Sequence, residues 1–191
     1  MHPKCEKEIK KALEVLRAGG VIVYPTDTIW GIGCDATNAE AVKKVYEIKR
    51  REDSKALICL VDSADRAQRY VREIPSVGFD MMDLTTTPLT IIFDQGKNLA
   101  KNLLADDGSI ALRVTAEEFS HELCYRLQKP LVSTSANISG EPSPRNFSEI
   151  SQEVLDAVDY VVDWRRQEKE KCKPSGIVKL GANGEVKIIR Q

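Results

Sequence analysis

Val21-Ile22-Val23-Tyr24, followed at once by Pro25-Thr26-Asp27-Thr28-Ile29-Trp30-Gly31-Ile32-Gly33, is the stretch on which the fold turns. Four apolar, mostly β-branched residues without polar alternation read as a strand buried on both faces, and Pro25, which has no N–H for a sheet ladder, ends it. The segment after Pro25 then reads as a loop. Two threonines around one aspartate offer short hydrogen-bonding groups, and the glycines allow close backbone approach. Two readings stay open from these residues: a turn in which Thr26, Asp27 and Thr28 satisfy their own backbone, or the floor of a polar pocket.

Outward from this strand, helical and extended patterns alternate. Ile9, Ala12, Leu13 and Leu16 recur at helical spacing before it, with Gly19-Gly20 as the stop. After it, Thr37-Asn38-Ala39-Glu40 has the form of a capping box opening a helix with Ala41, Val42, Val45, Tyr46 and Ile48 on one face and Lys49-Arg50-Arg51 at its end. Ala56 to Val61 predicts a second buried strand, Ala64 to Val71 a helix, Asp80 to Leu84 a short helix and Leu89 to Phe93 a strand. Gln95 to Gly108 is a polar connection anchored by Leu99, Leu103 and Leu104.

Ser109 to Val114 alternates, with Ile110, Leu112 and Val114 on one face and Ser109, Ala111 and Arg113 on the other, an unusual setting for an arginine. Thr115-Ala116-Glu117-Glu118 opens a further helix carrying Phe119, Leu123, Cys124 and Leu127, with His121 on its flank. A strand from Pro130 runs into Ser133-Thr134-Ser135-Ala136-Asn137, a second transition from strand to polar loop. Ser148 to Ala157 predicts a helix, Tyr160 to Val162 a strand, and Arg165 to Lys173 a mixed-charge connector. Ile177-Val178 and Val186 to Ile189 flank Asn183-Gly184 as a hairpin.

At 191 residues, 30% charged and 42% hydrophobic, the chain predicts one globular α/β domain over residues 1–191, and no apolar run is long enough to span a bilayer. A charged amino-terminal segment without a signal-peptide core places the expectation in the cytoplasm. Cys5, Cys34, Cys59, Cys124 and Cys172 are scattered and odd in number, which predicts reduced thiols rather than a metal or redox motif. With only His2 and His121, a Ser-His-Asp hydrolase is disfavoured. A net charge of −1 leaves nucleic-acid binding to a local cluster. Lys49, Arg50 and Arg51, with Lys55 close behind, read either as counter-charges to a helix dipole or as a convergent phosphate site. No Gly-x-x-x-x-Gly-Lys loop is present, and Gly31-Ile32-Gly33 is too short for a dinucleotide fingerprint.

Together, Pro25-Thr26-Asp27-Thr28-Ile29-Trp30-Gly31-Ile32-Gly33, Lys49-Arg50-Arg51 and Ser133-Thr134-Ser135-Ala136-Asn137 resemble, in order and spacing, the YrdC family of L-threonylcarbamoyladenylate synthases, in its short form without an additional carboxy-terminal domain. The resemblance implies a twisted open mixed sheet flanked by helices around a basic central cavity. It implies formation of threonylcarbamoyl-AMP and pyrophosphate from L-threonine, bicarbonate and ATP with Mg²⁺. The product serves threonylcarbamoyladenosine formation in tRNA through downstream transfer proteins. By position, Lys49 and Arg51 resemble the catalytic Lys-x-Arg pair, and Thr28, Arg113 and Ser133 the threonine contacts. Arg51, Lys55, Ser109, Ser135, Asn137, Ser143 and Arg190 correspond to the ATP side, and no residue to a protein-held metal.

The chain departs from the family pattern at Lys55-Ala56-Leu57, at Leu60 where a histidine is usual, at Thr85-Thr86-Thr87-Pro88 in place of a Trp-Pro-Gly-Pro turn, and at Ser175-Gly176. The alternative is a noncatalytic protein holding tRNA or double-stranded RNA in the same basic cavity, with a steep salt dependence.

Overall fold

The computed structural model describes residues 1–51, 57–170 and 172–191. Its described strands are β1 (Ile22–Tyr24), β2 (Gly31–Gly33), β3 (Ile58–Val61), β4 (Leu89–Phe93), β5 (Ile110–Val114), β6 (Leu131–Ser135), β7 (Tyr160–Val161), β8 (Gly176–Leu180) and β9 (Val186–Arg190). They form one mixed sheet in the order β7-β1-β2-β6-β3-β5-β4-β8-β9. Parallel pairs β7/β1, β3/β5 and β4/β8 are interspersed among antiparallel ones, so the sheet is open and mixed as the resemblance implies.

Side chains of the opening strand divide between two cores, as full burial on both faces requires. Ile22 and Tyr24 join Leu60 and Leu131 under helix α1 (Pro3–Arg17) and helix α5 (Glu118–Leu127). Val21 and Val23 face the other way, onto helix α2 (Ala39–Lys49), α6 (Gln152–Ala157) and the larger core. The remaining helices, α3 (Ala64–Ala67) and α4 (Ser76–Leu84), pack on that second side as well.

Gly31-Ile32-Gly33 is a strand and not the loop expected. It folds back antiparallel on β1, with Ile22 opposite Gly33 and Tyr24 opposite Gly31, so the loop is only residues 25–30. The glycines conceal the strand from sequence because they carry no side-chain pattern. Their purpose is space. The Tyr24 ring crosses β2 to donate its hydroxyl to Val132 O at 3.1 Å, and a Cβ on Gly33 would stand 2.6 Å from that ring and 2.4 Å from Val132 O.

Several element ends also shift. Asn38, not Thr37, caps α2 by accepting from Glu40 N and Ala41 N, while the Thr37 hydroxyl turns to Asp35. Glu117 caps α5, and Thr115 pairs with Ser120. The helix expected from Ser148 begins at Gln152 behind the cap Ser151, after a 3₁₀ turn over Phe147–Glu149, and the helix after Ser63 is a single turn. The start of the second expected strand, at Ala56, lies outside the described residues.

Candidate active site

Helices α1 and α5 cover only one end of their face of the sheet. Leu60 and Leu131 lie beneath them, but two residues along their strands Ile58 and Ser133 do not. Ser133, Ile58, Ala111 and Ile92 stand in register across β6, β3, β5 and β4 and floor a cavity of about 480 Å³. Arg51, Arg113 and Arg190 line it with Thr28, Ser109, Ser135, Ser143 and Ser175. No acidic side chain does, among the described residues. The cavity is of ordinary small-ligand size.

The alternation along β5 holds: Ser109, Ala111 and Arg113 face the cavity while Ile110 and Leu112 enter the larger core. Arg113 is 3% exposed. Its Nη2 donates to Thr28 Oγ1 at 3.1 Å and lies 2.9 Å from Asp27 Oδ1, at ion-pair distance but off hydrogen-bond alignment. Its buried Nε has no partner among the described residues. Burial pushes the Asp27 carboxyl above its ordinary pKa, against the opposing pull of the Arg113 charge.

Both readings of the first loop are therefore realised at once. Thr26 Oγ1 donates to Ile29 O at 2.8 Å and accepts from Thr28 N at 3.0 Å, which is a self-satisfied turn. Its single proton being spent on Ile29 O, the 3.0 Å contact between the two hydroxyls has Thr28 as donor. Thr28 Oγ1 thus gives its proton to Thr26, accepts from Arg113 and keeps acceptor capacity on the cavity wall.

At the other end, the Lys-x-Arg and Ser-x-Asn motifs are knitted together. Arg50 takes the left-handed conformation, φ 49°, with Arg50 N bonded to Glu47 O and Arg51 N to Tyr46 O, a Schellman ending of α2. This turn sends Arg50 outward to Glu153, Arg51 into the cavity and Lys49 beneath the β6 loop. Lys49, 2% exposed, donates from Nζ to Ser135 O at 2.7 Å, Asn137 O at 2.8 Å and Asn137 Oδ1 at 3.3 Å. Asn137 Nδ2 bonds Glu141 O in turn, and Ser139 N bonds Lys49 O. A second cavity of about 530 Å³, lined by Lys49, Arg50, Arg51, Ser135, Asn137, Ser139 and Gly140, shares Arg51 and Ser135 with the first. Lys49 and Asn137 build this wall, and Arg51 joins the two compartments.

Three acceptors match the three N–H groups of an ammonium, so Lys49 is charged at neutral pH. Burial, with help from the Arg51 charge, brings its pKa from the ordinary 10.5 down to about 8. The folded chain then holds fewer protons than the unfolded chain between these values. The Lys49 contribution to stability therefore grows as pH rises from about 8 to 10.5 and is lost as pH falls through 8. Activity that needs the ammonium runs the other way. We expect kcat/KM to fall with a one-proton limb above pH about 8 while chemical unfolding shows stability gained in that window, and Lys49→Met to abolish that gain.

Ser109, Ser133, Ser135, Ser143 and Arg190, expected at the site, all line the first cavity. Arg190 clamps Ser175 O with both Nε, at 3.0 Å, and Nη2, at 2.8 Å, and Ser175 Oγ pairs with Thr90 at 2.8 Å. The expected ATP contact Lys55 lies outside the described residues. Ile92, Ala105 and Ser175 were not legible as cavity residues, because only strand register brings Ile92 to the floor and only the return of β8 beside β4 brings Ser175 there.

The Sua5/YciO/YrdC family model, described as "Telomere recombination", matches residues 14–191. The chain belongs to that family. A Methanocaldococcus jannaschii protein named putative threonylcarbamoyl-AMP synthase is 40% identical over 184 residues, covering 92% of this chain and 83% of that protein. The threonylcarbamoyl-AMP synthase of Pseudoalteromonas translucida is 34% identical over 161 residues, covering 83% of this chain and 86% of its own. Escherichia coli YciO superposes with a TM-score of 0.83 at 25% identity, over 97% of this chain and 89% of its own. P. abyssi Sua5 complexed with L-threonine shares the fold, with a TM-score of 0.80 at 24% identity, over 90% of this chain and 50% of its own.

Against the Sua5/YciO/YrdC pattern, Leu60 proves to be fully buried beneath α1 and α5, opposite Arg113 in register. It closes the apolar side of the arginine instead of lining the cavity. The turn before β4 is held by Thr85 Oγ1 donating to Thr87 O at 2.9 Å, which replaces the missing glycine turn.

Proposed function

We propose that this chain is an L-threonylcarbamoyladenylate synthase, condensing L-threonine, bicarbonate and ATP to threonylcarbamoyl-AMP and pyrophosphate for threonylcarbamoyladenosine formation in tRNA. The observation that carries the reading is one cavity in which a buried, partly unpartnered arginine beside a threonine hydroxyl faces a second compartment walled by the joined Lys-x-Arg and Ser-x-Asn motifs.

In this reading Arg113 holds the amino-acid carboxylate, Thr28 Oγ1 accepts the threonine hydroxyl proton, and Ser133 flanks the amino group. The carbamate oxygen made from threonine nitrogen and bicarbonate, with loss of water, attacks the α-phosphorus, and the bond to the bridging oxygen of pyrophosphate breaks. No nucleophilic side chain is needed. Catalysis is positioning plus neutralisation of phosphate charge, the work of Arg51 and Arg190 with Lys49 behind them, while Ser109, Ser135 and Ser143 donate to phosphate or ribose oxygens. Lys49 acts by holding the loop of Ser135 and Asn137 and by its field, since its three protons are committed to that loop.

The donor set also bears on Mg²⁺. Neither compartment has a carboxylate on its described wall, and the described residues hold no cluster of three metal-ligating side chains. Such a wall would suit an ion that arrives on the triphosphate better than one held by protein. When bound, Mg²⁺ would neutralise phosphate charge.

A cavity of about 480 Å³ is of small-ligand size, which favours a small-molecule substrate over a nucleic-acid duplex. No helix among the described residues is long and apolar enough to cross a membrane. The experiment is adenylate and pyrophosphate formation by purified protein with each substrate omitted in turn.

A further inference from the structure

Resting on the reading of this cavity as a threonine site, we propose that Arg165 is a positioning residue that sets the affinity for threonine from outside the cavity. Sequence presents it only as one cation in a mixed-charge connector. It follows β7 in a turn beside the first loop and does not line the site cavity; the space around it against Thr26, Thr28 and Trp30 is nearly closed.

Its guanidinium braces the loop that carries Thr28 against the helix cap that follows the strand of Arg113. Nη1 donates to Thr26 O at 3.1 Å and lies 3.3 Å from Glu117 Oε1. Thr26 is the residue whose hydroxyl orients both the backbone N–H and the hydroxyl of Thr28. Glu117 caps α5 through Phe119 N at 3.1 Å and Ser120 N at 2.8 Å, immediately after β5, which carries Arg113. Glu168 aligns the brace by accepting from Arg165 Nε with both oxygens, at 2.8 and 2.9 Å. One cation therefore spans the Thr28 loop and the Arg113 strand end on the side away from the ligand. The two contacts must stay in register for an amino acid to use both.

The backbone gives an independent sign. Arg165 has φ 60°, a left-handed conformation that glycine adopts without cost and arginine does not. A residue retained only for the turn would be better as glycine. A strained non-glycine residue whose Nε and Nη1 both hold partners points to a role for that side chain.

The test separates brace from turn. In steady-state adenylate formation, Arg165→Gly is expected to raise the KM for threonine about tenfold while the KM for ATP stays within about twofold. Arg165→Lys, which keeps one donor for Thr26 O, is expected to recover most of that loss even though its backbone is as strained as the parent's. Glu168→Gln, which keeps only one oxygen to accept from Arg165 Nε, should raise the threonine KM less than Arg165→Gly does. Should Arg165→Gly not fold, Arg165→Gln is read by the same split. Unchanged threonine KM in Arg165→Gly, or threonine and ATP KM rising together, overturns the proposal. A parent protein that forms no adenylate would instead refute the underlying synthase reading, and that result is visible before any variant is made.

Discussion

Arg113→Leu should lower kcat/KM for threonine by about 100- to 1,000-fold and destabilise the fold as well. Removing one partner of a buried ion pair costs roughly 3–5 kcal/mol, much of it from the charge left behind. Here the remaining charge is Asp27, whose carboxyl burial already pushes upward in pKa. The two losses can be separated. Adding Asp27→Asn removes the stranded carboxylate and should restore most of the melting temperature, but it supplies nothing to hold a substrate carboxylate, so activity should remain low. Arg113→Lys keeps the charge but loses the planar fork, and should be closer to the parent in stability than in threonine KM. Thermal unfolding and threonine titrations on the three variants check this. A double variant regaining both stability and activity would remove Arg113 from the amino-acid site.

Selection of threonine over valine should be of similar size. Thr28 Oγ1 spends its proton on Thr26 and receives one from Arg113, so what it offers a ligand is acceptor capacity. The threonine hydroxyl can donate to it, whereas valine presents a methyl of nearly the same size. A site built to bond a hydroxyl rejects its absence by 10⁴ or more, and because Arg113 already satisfies part of this oxygen we expect about 10³. Serine retains the donor and loses one methyl, a penalty of about 10- to 200-fold. The order should be threonine, serine, valine in competition kinetics. Thr28→Val should narrow the gap between threonine and valine chiefly by slowing threonine, and an unchanged ratio would take Thr28 out of hydroxyl recognition.

Where one stretch of chain fixes its own conformation, sequence was a good guide. Val21 to Tyr24 reads as buried on both faces because no polar residue interrupts it, and its side chains do divide between two cores. The alternation of Ser109, Ala111 and Arg113 foretells which face of β5 meets the cavity, and Asn183-Gly184 marks the β8–β9 turn, with Gly184 at φ 83°. The glycine strand β2 escaped because its conformation is dictated by the Tyr24 ring and by Val132 across the sheet. Caps slipped by a residue or two where several polar groups compete, as at Thr37 and Asn38.

The site was legible in a different way. Residues alone left Lys49 to Arg51 open between dipole counter-charge and anion site, and resemblance to a family was needed to connect them with Ser135 and Asn137. The structure adds the physical link, an ammonium on the loop carbonyls, which no local pattern encodes. Arg165 was invisible for the same reason: its partners Thr26 and Glu117 are remote in sequence.

The central claim is that one cavity joins threonine, bicarbonate and ATP in a single adenylate-forming reaction. Incubating the purified chain with all three and Mg²⁺, then with each omitted in turn, and following both pyrophosphate and the threonylcarbamoyl-AMP mass is the most direct test. Product should appear only in the complete mixture, one pyrophosphate per adenylate. Pyrophosphate released without threonine, an adenylate formed without bicarbonate, or an inert protein that instead binds double-stranded RNA with a steep salt dependence would contradict it.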